Sequence, residues 1–493
     1  MFFILVFRGI CTTFANRNFF ETYPRLMKRA LLLCVMTVVA IVLLASDLLG
    51  SDKVSFPGGK CRFYRVYLKD KQDTVYSLSR PEAFLSQRTI ERRRRQHVVM
   101  DSTDLPIAPR YVASLEREGF EVVCRSKWNN TVVVRVNKQK NLHKLDTLSF
   151  VARTVLVYTA PDSIRRRTRS GFRTDVLGTE RNENEYGVAL GQIESLGGVS
   201  LHQSGFRGKG KVIAVFDGGF MNVDKIPALH RLRLMGVADF VIPRSPNIFQ
   251  ETDHGTMVLS TMAVDEPNYY VGVSPEASYV LVRTEEENSE SLIEEDYWAA
   301  GAEYVDSLGV DIINSSLGYH AFDDKRMDYT YRQQDGHASL ISHTASMLAG
   351  KGIVLVNSAG NEGMGTWKRV NFPADAHDIL TVGSITSLGV NAPFSSVGPT
   401  ADGRVKPDVM AWGSSVSVFS GRGLVINDVG TSFSSPLVAG MVACLWQALP
   451  TKTALEIIDL VRRSASQFDT PDNIYGYGVP DFWKAYQMGK NRR

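Results

Sequence analysis

The sequence predicts an α/β fold built on a mostly parallel sheet, and three observations lead to this prediction. Two runs, VIAVF at 212–216 and IVLVN at 353–357, are apolar without alternation and rich in β-branched residues. Runs of this kind are typical of strands covered on both faces, as in parallel sheets. The third observation is an apolar helix, predicted from Phe433 to about Ala448, with hydrophobic side chains on every side. Such a helix is buried in the interior of a domain.

Polar residues that suit nucleophilic catalysis follow these elements. The strand at 212–216 ends in Asp217, which puts a carboxylate at the sheet edge where α/β proteins form their sites. His254 follows Asp253 and precedes MVLSTMA, which predicts a second small-residue helix. Ser432 lies in GTSFSSP, at the start of the buried helix, where free N–H groups stabilise negative charge. A serine hydroxyl needs both a base and such stabilisation to act as a nucleophile.

These motifs, in the order Asp, His, Ser, resemble those of the subtilisin-like serine peptidase family over roughly residues 186–486. The resemblance implies that Asp217 orients the imidazole, that His254 is the general base and then the general acid, and that Ser432 attacks the peptide carbonyl. A fourth motif, SAGNEG at 358–363, implies that the Asn361 side chain and the backbone N–H of Ser432 stabilise the oxyanion.

The resemblance also implies a three-layer α/β/α catalytic domain and an extended peptide or protein substrate. Within VDIINSSLGY at 310–319, Ser316, Leu317 and Gly318 match the family segment that binds the substrate and lines the pocket before the cleaved bond. The chemistry requires no cofactor. Family members often bind structural calcium, but no loop of this sequence shows a ligand pattern for it, so the metal sites stay unknown.

The second edge of the substrate groove is predicted to follow the strand YVLVRT at 279–284, where the chain becomes strongly acidic. The acidic residues are Glu285, Glu286, Glu287, Glu290, Glu294 and Glu295. We interpret this run as a solvated loop and helix face. The alternative is that some of these carboxylates favour basic substrate residues upstream of the cleaved bond.

Four segments are predicted along the 493 residues. Residues 1–50 form a leader, in which an apolar run after Lys28-Arg29 gives a signal peptide at about 27–46 and Met27 is the candidate true start. An uncleaved leader that anchors the chain in the membrane is the alternative. Residues 60–158 form an α+β prodomain with an approximately split βαβ, ferredoxin-like pattern plus one additional helix. The basic processing linker covers 159–185, and the peptidase domain covers 186–488.

Composition limits the remaining possibilities. The net charge of +4 is close to balanced, and no nucleic-acid-binding signature is present, so we exclude that partner class. Cys61 and Cys124, at the ends of predicted strands, could pair outside the cytoplasm, whereas Cys444 is interpreted as a core residue. The basic cluster Arg92–Arg95 is interpreted as a solvated helix face.

The sequence thus predicts an exported serine endopeptidase that is made as a self-processed zymogen. Its own prodomain acts as an intramolecular inhibitor, and no stable membrane partner is expected. The alternatives are a catalytically silent subtilisin-like binding module and a domain whose chemistry is confined to self-cleavage. The presence of all four candidate residues, Asp217, His254, Asn361 and Ser432, argues against the silent module.

Overall fold

The computed structural model describes residues 53–56, 59–72, 74–137, 142–165, 183–241 and 247–490. The chain divides into two compact units, Met1–Ser55 with Ser163–Arg166, and Phe56–Asp162 with Arg167–Arg493. The predicted leader at 1–50 lies outside the described residues, as do residues 166–182 of the predicted linker. Among the described helices, none has both the length and the apolar composition needed to cross a membrane.

The strands are β1 (Lys53–Ser55), β2 (Cys61–Leu68), β3 (Glu121–Ser126), β4 (Thr131–Asn137), β5 (Val151–Thr159), β6 (Ser163–Arg165), β7 (Val212–Asp217), β8 (Arg233–Asp239), β9 (Asp265–Glu266), β10 (Tyr270–Val271), β11 (Ser278–Arg283), β12 (Ile312–Ser315), β13 (Val354–Ser358), β14 (Leu380–Ile385), β15 (Val409–Trp412), β16 (Ser414–Phe419) and β17 (Val425–Val429). The helices are α1 (Gln87–Arg95), α2 (Pro109–Arg117), α3 (His143–Asp146), α4 (Leu190–Glu194), α5 (Gly198–Gln203), α6 (His254–Ala263), α7 (Ile293–Leu308), α8 (Leu340–Met347), α9 (Thr431–Ala448), α10 (Ala454–Ser464) and α11 (Phe482–Lys490).

The described part of the first unit is one small sheet, in which β1 and β6 pair antiparallel with Lys53 opposite Arg165. Strand β6 lies inside the predicted linker, and Thr159 still belongs to β5. The first residues of the 159–185 stretch are therefore strand, whereas the sequence predicts a polar connector there.

The predicted prodomain forms an antiparallel sheet with the order β3-β4-β2-β5 and its own hydrophobic core beneath helix α2. The apolar runs at 63–68, 121–126, 131–136 and 151–157 predict four strands, and the strands of this sheet lie there. The sequence also predicts one helix around 81–96. The structure has instead a 3₁₀ turn over Pro81–Ala83 followed by α1, because the Ser86 side chain accepts a hydrogen bond from Thr89 N–H and starts a new helix. The ferredoxin-like classification stays a prediction.

A disulfide between Cys61 and Cys124 does not form, since both cysteines are free and buried. The sheet order explains this finding. Strand β4 lies between β2 and β3, and the two cysteines stand opposite different residues of it, Asn137 and Val133. Two strand spacings are about 9–10 Å, which exceeds the Cα separation of about 7 Å that a disulfide tolerates. The interpretation of Cys444 as a core residue is confirmed by its full burial.

The interpretation of Arg92–Arg95 as a solvated face is wrong for half of the cluster. The side chains of Arg92 and Arg93 are each 1% exposed, and both pair with Asp306 of helix α7 at 2.5 and 2.7 Å. Arg94 is exposed. A periodic charge pattern identifies the helix but does not show which face meets a distant partner.

The rest of the second unit is organised by a parallel sheet of seven strands with the order β15-β14-β13-β12-β7-β11-β8. This confirms the predicted α/β fold. Strands β7, β12, β13 and β14 are buried along their whole length because helices cover both faces. The chain builds β11 and β8 on one side of β7 and then crosses to β12 on the other. The carboxyl ends on either side of this reversal form the crevice where α/β proteins bind ligands.

The acidic run divides between solvent and interior. Glu287 is exposed, as predicted, but Glu294 and Glu295 in the first turn of α7 are buried. Glu294 accepts hydrogen bonds from the backbone N–H groups of Glu286 and Ser291, at 2.8 and 3.1 Å. Buried carboxylates require such partners, and the sequence does not show them. The prediction of a solvated helix face is therefore wrong for Glu294 and Glu295.

Helix α9 passes through the middle of this unit and packs against α6 and strands β12–β15. Its residues from Thr431 to Trp446 are all buried. The closest approach occurs at Gly440, where an added Cβ would lie 2.3 Å from Val273 Cγ2 and 2.7 Å from Ser274 Oγ. Glycine is thus required here by packing, although alanine is the better helix former.

We expect Gly440→Ala to lower the melting temperature of the full chain, because the steric clash outweighs the gain in helix propensity of about 1 kcal/mol. The matched control is Gly350→Ala, since an added Cβ there meets no atom within 4 Å. Thermal unfolding followed by circular dichroism, with Ser432→Ala in every sample to prevent self-digestion, measures both. A melting temperature of Gly440→Ala at or above that of the Gly350→Ala control would contradict the packing argument.

Candidate active site

Two of the candidate residues form a direct hydrogen-bonded pair. Asp217 ends β7 and is fully buried, and His254 begins α6. The imidazole Nδ1 lies 3.0 Å from both carboxylate oxygens of Asp217, one of which also accepts a hydrogen bond from Gly218 N–H at 2.8 Å. A carboxylate on Nδ1 fixes the ring and leaves Nε2 as the atom that can accept a proton.

Glycine next to the histidine makes this pair possible. A Cβ on Gly255 would lie 2.4 Å from the Gly219 carbonyl oxygen and 2.8 Å from Asp217 Cβ. Any larger residue would push the start of α6 away from the end of β7. The helix is also held at its first turn by Asp253, whose carboxylate accepts a hydrogen bond from Gly421 N–H at 2.9 Å.

Ser432 is the second residue of α9 and is 8% exposed. Its hydroxyl donates to the Ser316 carbonyl oxygen at 3.4 Å, and the Ser316 hydroxyl donates to the Ser432 carbonyl oxygen at 2.9 Å. These reciprocal contacts tie the beginning of α9 to the segment that follows β12. Phe433 packs beside His254, with the ring centroids 5.8 Å apart.

Asn361 follows β13 and is oriented by the residue before the serine. Its Oδ1 accepts hydrogen bonds from both the backbone N–H and the hydroxyl of Thr431, each at 3.0 Å. The Thr431 hydroxyl in turn accepts from Gly360 N–H at 3.2 Å. Because the oxygen is engaged, the Nδ2 group is the part of the amide that is available to donate a hydrogen bond.

A single cleft of about 380 Å³ joins these residues. It is lined by Asp217, Gly218, Thr252, His254, Glu285, Glu287, Ser316, Leu317, Gly318, Ser358, Gly360, Asn361, Glu362, Asn371, Thr431 and Ser432. The structure therefore brings together every site residue that the sequence predicts, including the three substrate-binding candidates. They come from the carboxyl ends of β7, β12 and β13 and from the first turns of α6 and α9.

Carboxylates dominate the electrostatics of the cleft. Burial opposes protonation of His254, but the charge and hydrogen bond of Asp217 outweigh it and raise its pKa to about 9. Burial also raises the pKa of Glu285 to about 7, with repulsion from Asp217 acting in the same direction. The imidazole side chain retains 32% of its surface exposed, so solvent screens part of these interactions.

Nine of the lining residues were not predicted as site residues, and three of these nine bear on the chemistry of the cleft. Thr431 orients Asn361, and its only sequence signal is its place before the serine. Glu285 and Glu287 belong to the acidic run, where the charge pattern did not show which carboxylates face the cleft. Within the described residues, no group of three or more histidine, cysteine or acidic side chains is arranged to hold a metal ion.

Comparison with known proteins gives two family matches and several relatives. Residues 208–478 match the subtilase family, and residues 63–175 match the peptidase S8 propeptide domain of Bacteroidota. Subtilisin E of Bacillus subtilis (strain 168) is 29% identical over 300 residues, which cover 60% of this chain and 70% of that protein.

Two further relatives agree with these matches. The thermostable alkaline protease of Halalkalibacterium halodurans is 28% identical over 288 residues, 58% of this chain and 70% of its own. Subtilisin of Bacillus pumilus is 28% identical over 300 residues, 60% of this chain and 98% of its own. The chain therefore belongs to the subtilase family and is a subtilisin-like serine endopeptidase with a propeptide region.

Proposed function

We propose that this chain is an exported zymogen whose Asp217, His254 and Ser432 hydrolyse peptide bonds through an acyl-enzyme intermediate. The observation that carries the proposal is the 3.0 Å pairing of His254 Nδ1 with Asp217 in the same cleft as Ser432. This pairing leaves Nε2 as the base for the serine hydroxyl. The chemistry uses only side chains and backbone groups of the protein.

The first half of the reaction forms the acyl-enzyme. The Ser432 hydroxyl breaks its hydrogen bond to the Ser316 carbonyl oxygen and forms one to Nε2 of His254. It then gives its proton to that nitrogen as Oγ bonds to the substrate carbonyl carbon. The carbonyl electron pair moves to oxygen and gives a tetrahedral oxyanion. When the oxyanion collapses, the C–N bond breaks and His254 returns the proton to the leaving amine. Asp217 stabilises the imidazolium throughout and keeps its own negative charge.

The second half repeats these proton transfers with water. A water molecule gives a proton to His254 as it attacks the acyl carbon, and the proton then passes to Ser432 Oγ when the ester bond breaks. Both tetrahedral oxyanions are stabilised by the Asn361 side chain and the backbone N–H of Ser432. Such donors act most strongly where water is excluded, and Thr431 holds the Asn361 amide in place for this role.

The proposed domain organisation follows the sequence prediction. Residues 1–50 direct export and 186–488 form the peptidase. Residues 60–158 form the inhibitory prodomain, and the chain is cut within 159–185. The propeptide match at 63–175 and the generally secreted nature of subtilisins support this organisation. The basic stretch Arg165–Arg169 is of a type that proteases reach easily.

The contacts of the prodomain with helix α7 support an inhibitory role. Arg65 of β2 pairs with Asp296 at 2.7 Å, and both side chains are almost fully buried. Tyr158 of β5 lies near Ser289, in the loop that follows the cleft residues Glu285 and Glu287. A prodomain held here leaves its last strand beside one edge of the cleft.

We expect the expressed full chain to separate into two fragments by a cut within 159–185, whereas Ser432→Ala stays whole. The reason is that only the wild type carries the nucleophile. Intact-mass spectrometry of the purified proteins measures the outcome.

The matched control for this experiment is Ser434→Ala, two residues away. The Ser434 hydroxyl is buried and hydrogen-bonds no described group, so its removal leaves self-cleavage intact. A wild type that stays uncut, and that also fails to cleave peptides after a second protease removes the prodomain, would favour the silent binding module. Cleavage in the Ser432→Ala protein would exclude Ser432 as the nucleophile.

The pH dependence of kcat/KM tests the proposed base. Only neutral His254 accepts the serine proton, and Asp217 raises the pKa of His254 to about 9. We therefore expect kcat/KM on an uncharged peptide to rise about tenfold per pH unit below that pKa and to level off above about 9. A midpoint near the ordinary histidine value of 6.5 would contradict the raised pKa.

The ion pairs of Asp306 test the inhibitory contact. In Asp306→Asn, Arg92 loses its carboxylate partner and Arg93 keeps only Asp104, which weakens binding of the cleaved prodomain by about 3–5 kcal/mol. We expect less prodomain to coelute with the peptidase in size-exclusion chromatography, and more activity per active site. The control is Glu118→Gln, since Glu118 pairs with Lys144 on the surface. Equal retention in the two variants would show that these ion pairs do not hold the prodomain.

A further inference from the structure

The six carboxylates of the acidic run serve different functions, and three of them have structural partners outside the cleft. Glu286 pairs with Arg283 at 2.8 Å. Glu294 binds backbone N–H groups, and Glu295 accepts a hydrogen bond from the Tyr329 hydroxyl at 2.6 Å. Glu285 and Glu287 differ from these three because both line the catalytic cleft.

Arg283 fixes the direction in which this loop leaves the sheet. Its guanidinium is 1% exposed and pairs with Asp239 and Glu251 as well as Glu286. Its Nε donates to the Gly218 carbonyl oxygen at 2.9 Å, directly after Asp217. The positive charge of Arg283 is thus balanced by carboxylates that do not line the cleft, and Glu286 is one of them. The two neighbours of Glu286 remain on the cleft side.

Glu285 lies close to the reacting groups. A Cβ on Gly218 would be 3.9 Å from Glu285 Oε2, so the carboxylate stands beside the residue that follows Asp217. Glu287 accepts a hydrogen bond from the Thr252 hydroxyl at 3.3 Å, two residues before His254. Strand β11, which the two glutamates follow, lies on the other side of β7 from β12, so Glu285 and Glu287 form a wall of the cleft on the side away from Ser316–Gly318.

The wall is strongly negative. Among the described residues that line the cleft there are four carboxylates, those of Asp217, Glu285, Glu287 and Glu362, and no lysine or arginine. These carboxylates outnumber the single cation that His254 can supply, and a cleft with such an excess of negative charge attracts side chains of the opposite sign. We propose that Glu285 and Glu287 select substrates with arginine or lysine at positions upstream of the cleaved bond. This inference rests on the proposed peptidase function of the same cleft.

The test is a set of octapeptides in which one upstream position at a time carries arginine, citrulline or leucine. Citrulline has the shape of arginine without its charge. Assays with the self-processed enzyme at pH 9 keep Glu285 ionised, since its pKa is about 7. We expect kcat/KM to be about 10- to 100-fold higher for arginine than for citrulline at one or more upstream positions, the range for a charge-assisted hydrogen bond.

The variants Glu285→Gln and Glu287→Gln show which carboxylate is responsible for the preference for arginine over citrulline. Each removes one carboxylate with little change of shape, and at least one of them is expected to lower the arginine-to-citrulline ratio of kcat/KM about tenfold while the citrulline-to-leucine ratio stays the same. The matched control is Glu290→Gln, which lies in the same acidic run but does not line the cleft. If one glutamate variant fails to process itself, the other decides the test.

Three outcomes would overturn the inference. The first is equal cleavage of arginine and citrulline peptides at every upstream position. The second is an equal change in kcat/KM on arginine, citrulline and leucine peptides in both variants, because it would mean that the glutamates act only through the pKa of His254. The third is an unchanged ratio in both variants. Labelling of Ser432 by a serine-directed fluorophosphonate separates these failures from failure of the peptidase function, which would abolish both the labelling and all peptide cleavage.

Discussion

The burial of helix α9 is the constraint on which the rest of the structure depends. A helix that is apolar on every side must be surrounded, and here α6 and the central strands surround it. Because it runs beside parallel strands, its first turn emerges at their carboxyl ends, where Ser432 meets the segment after β12. The same packing requires glycine at position 440, and the contacts with Ser316 hold Ser432 at the start of the helix. The position of Ser432 in the site thus follows from the packing of helix α9 in the core.

Helix α7 joins the peptidase domain to the propeptide region through buried ion pairs. Its buried first turn receives Arg65 from the prodomain, and Asp306 in its last turn receives Arg92 and Arg93. Buried ion pairs contribute little net stability, but losing one partner is costly. An interface of this kind is therefore selective: it holds a domain that supplies guanidinium groups at matching positions. The structure uses charges in the interior where sequence patterning suggests a solvated surface.

How much the sequence predicts depends on the distance between the interacting groups. The strands, helix α9 and the candidate residues were predictable because apolar runs and local motifs specify them. The free cysteines and the buried side chains of Arg92, Arg93 and Glu294 were not, since their state depends on strand order and on partners far along the chain. A local charge pattern is the same whether a carboxylate faces water, a backbone N–H or a substrate. For the same reason, the sequence alone could not show that Glu285 lines the cleft.

The negative wall also bears on the base itself. Glu285 adds to the effect of Asp217 in raising the pKa of His254, so the acidic cleft makes neutral imidazole scarcer at neutral pH. A cationic substrate residue beside Glu285 would offset that charge and favour the neutral base. The charge of the substrate and the pKa of His254 are then coupled through Glu285. The carboxylate that attracts the substrate cation is also the one whose negative charge the cation offsets. In such a cleft, we expect the substrates with a cationic residue beside Glu285 to be both bound most tightly and hydrolysed fastest.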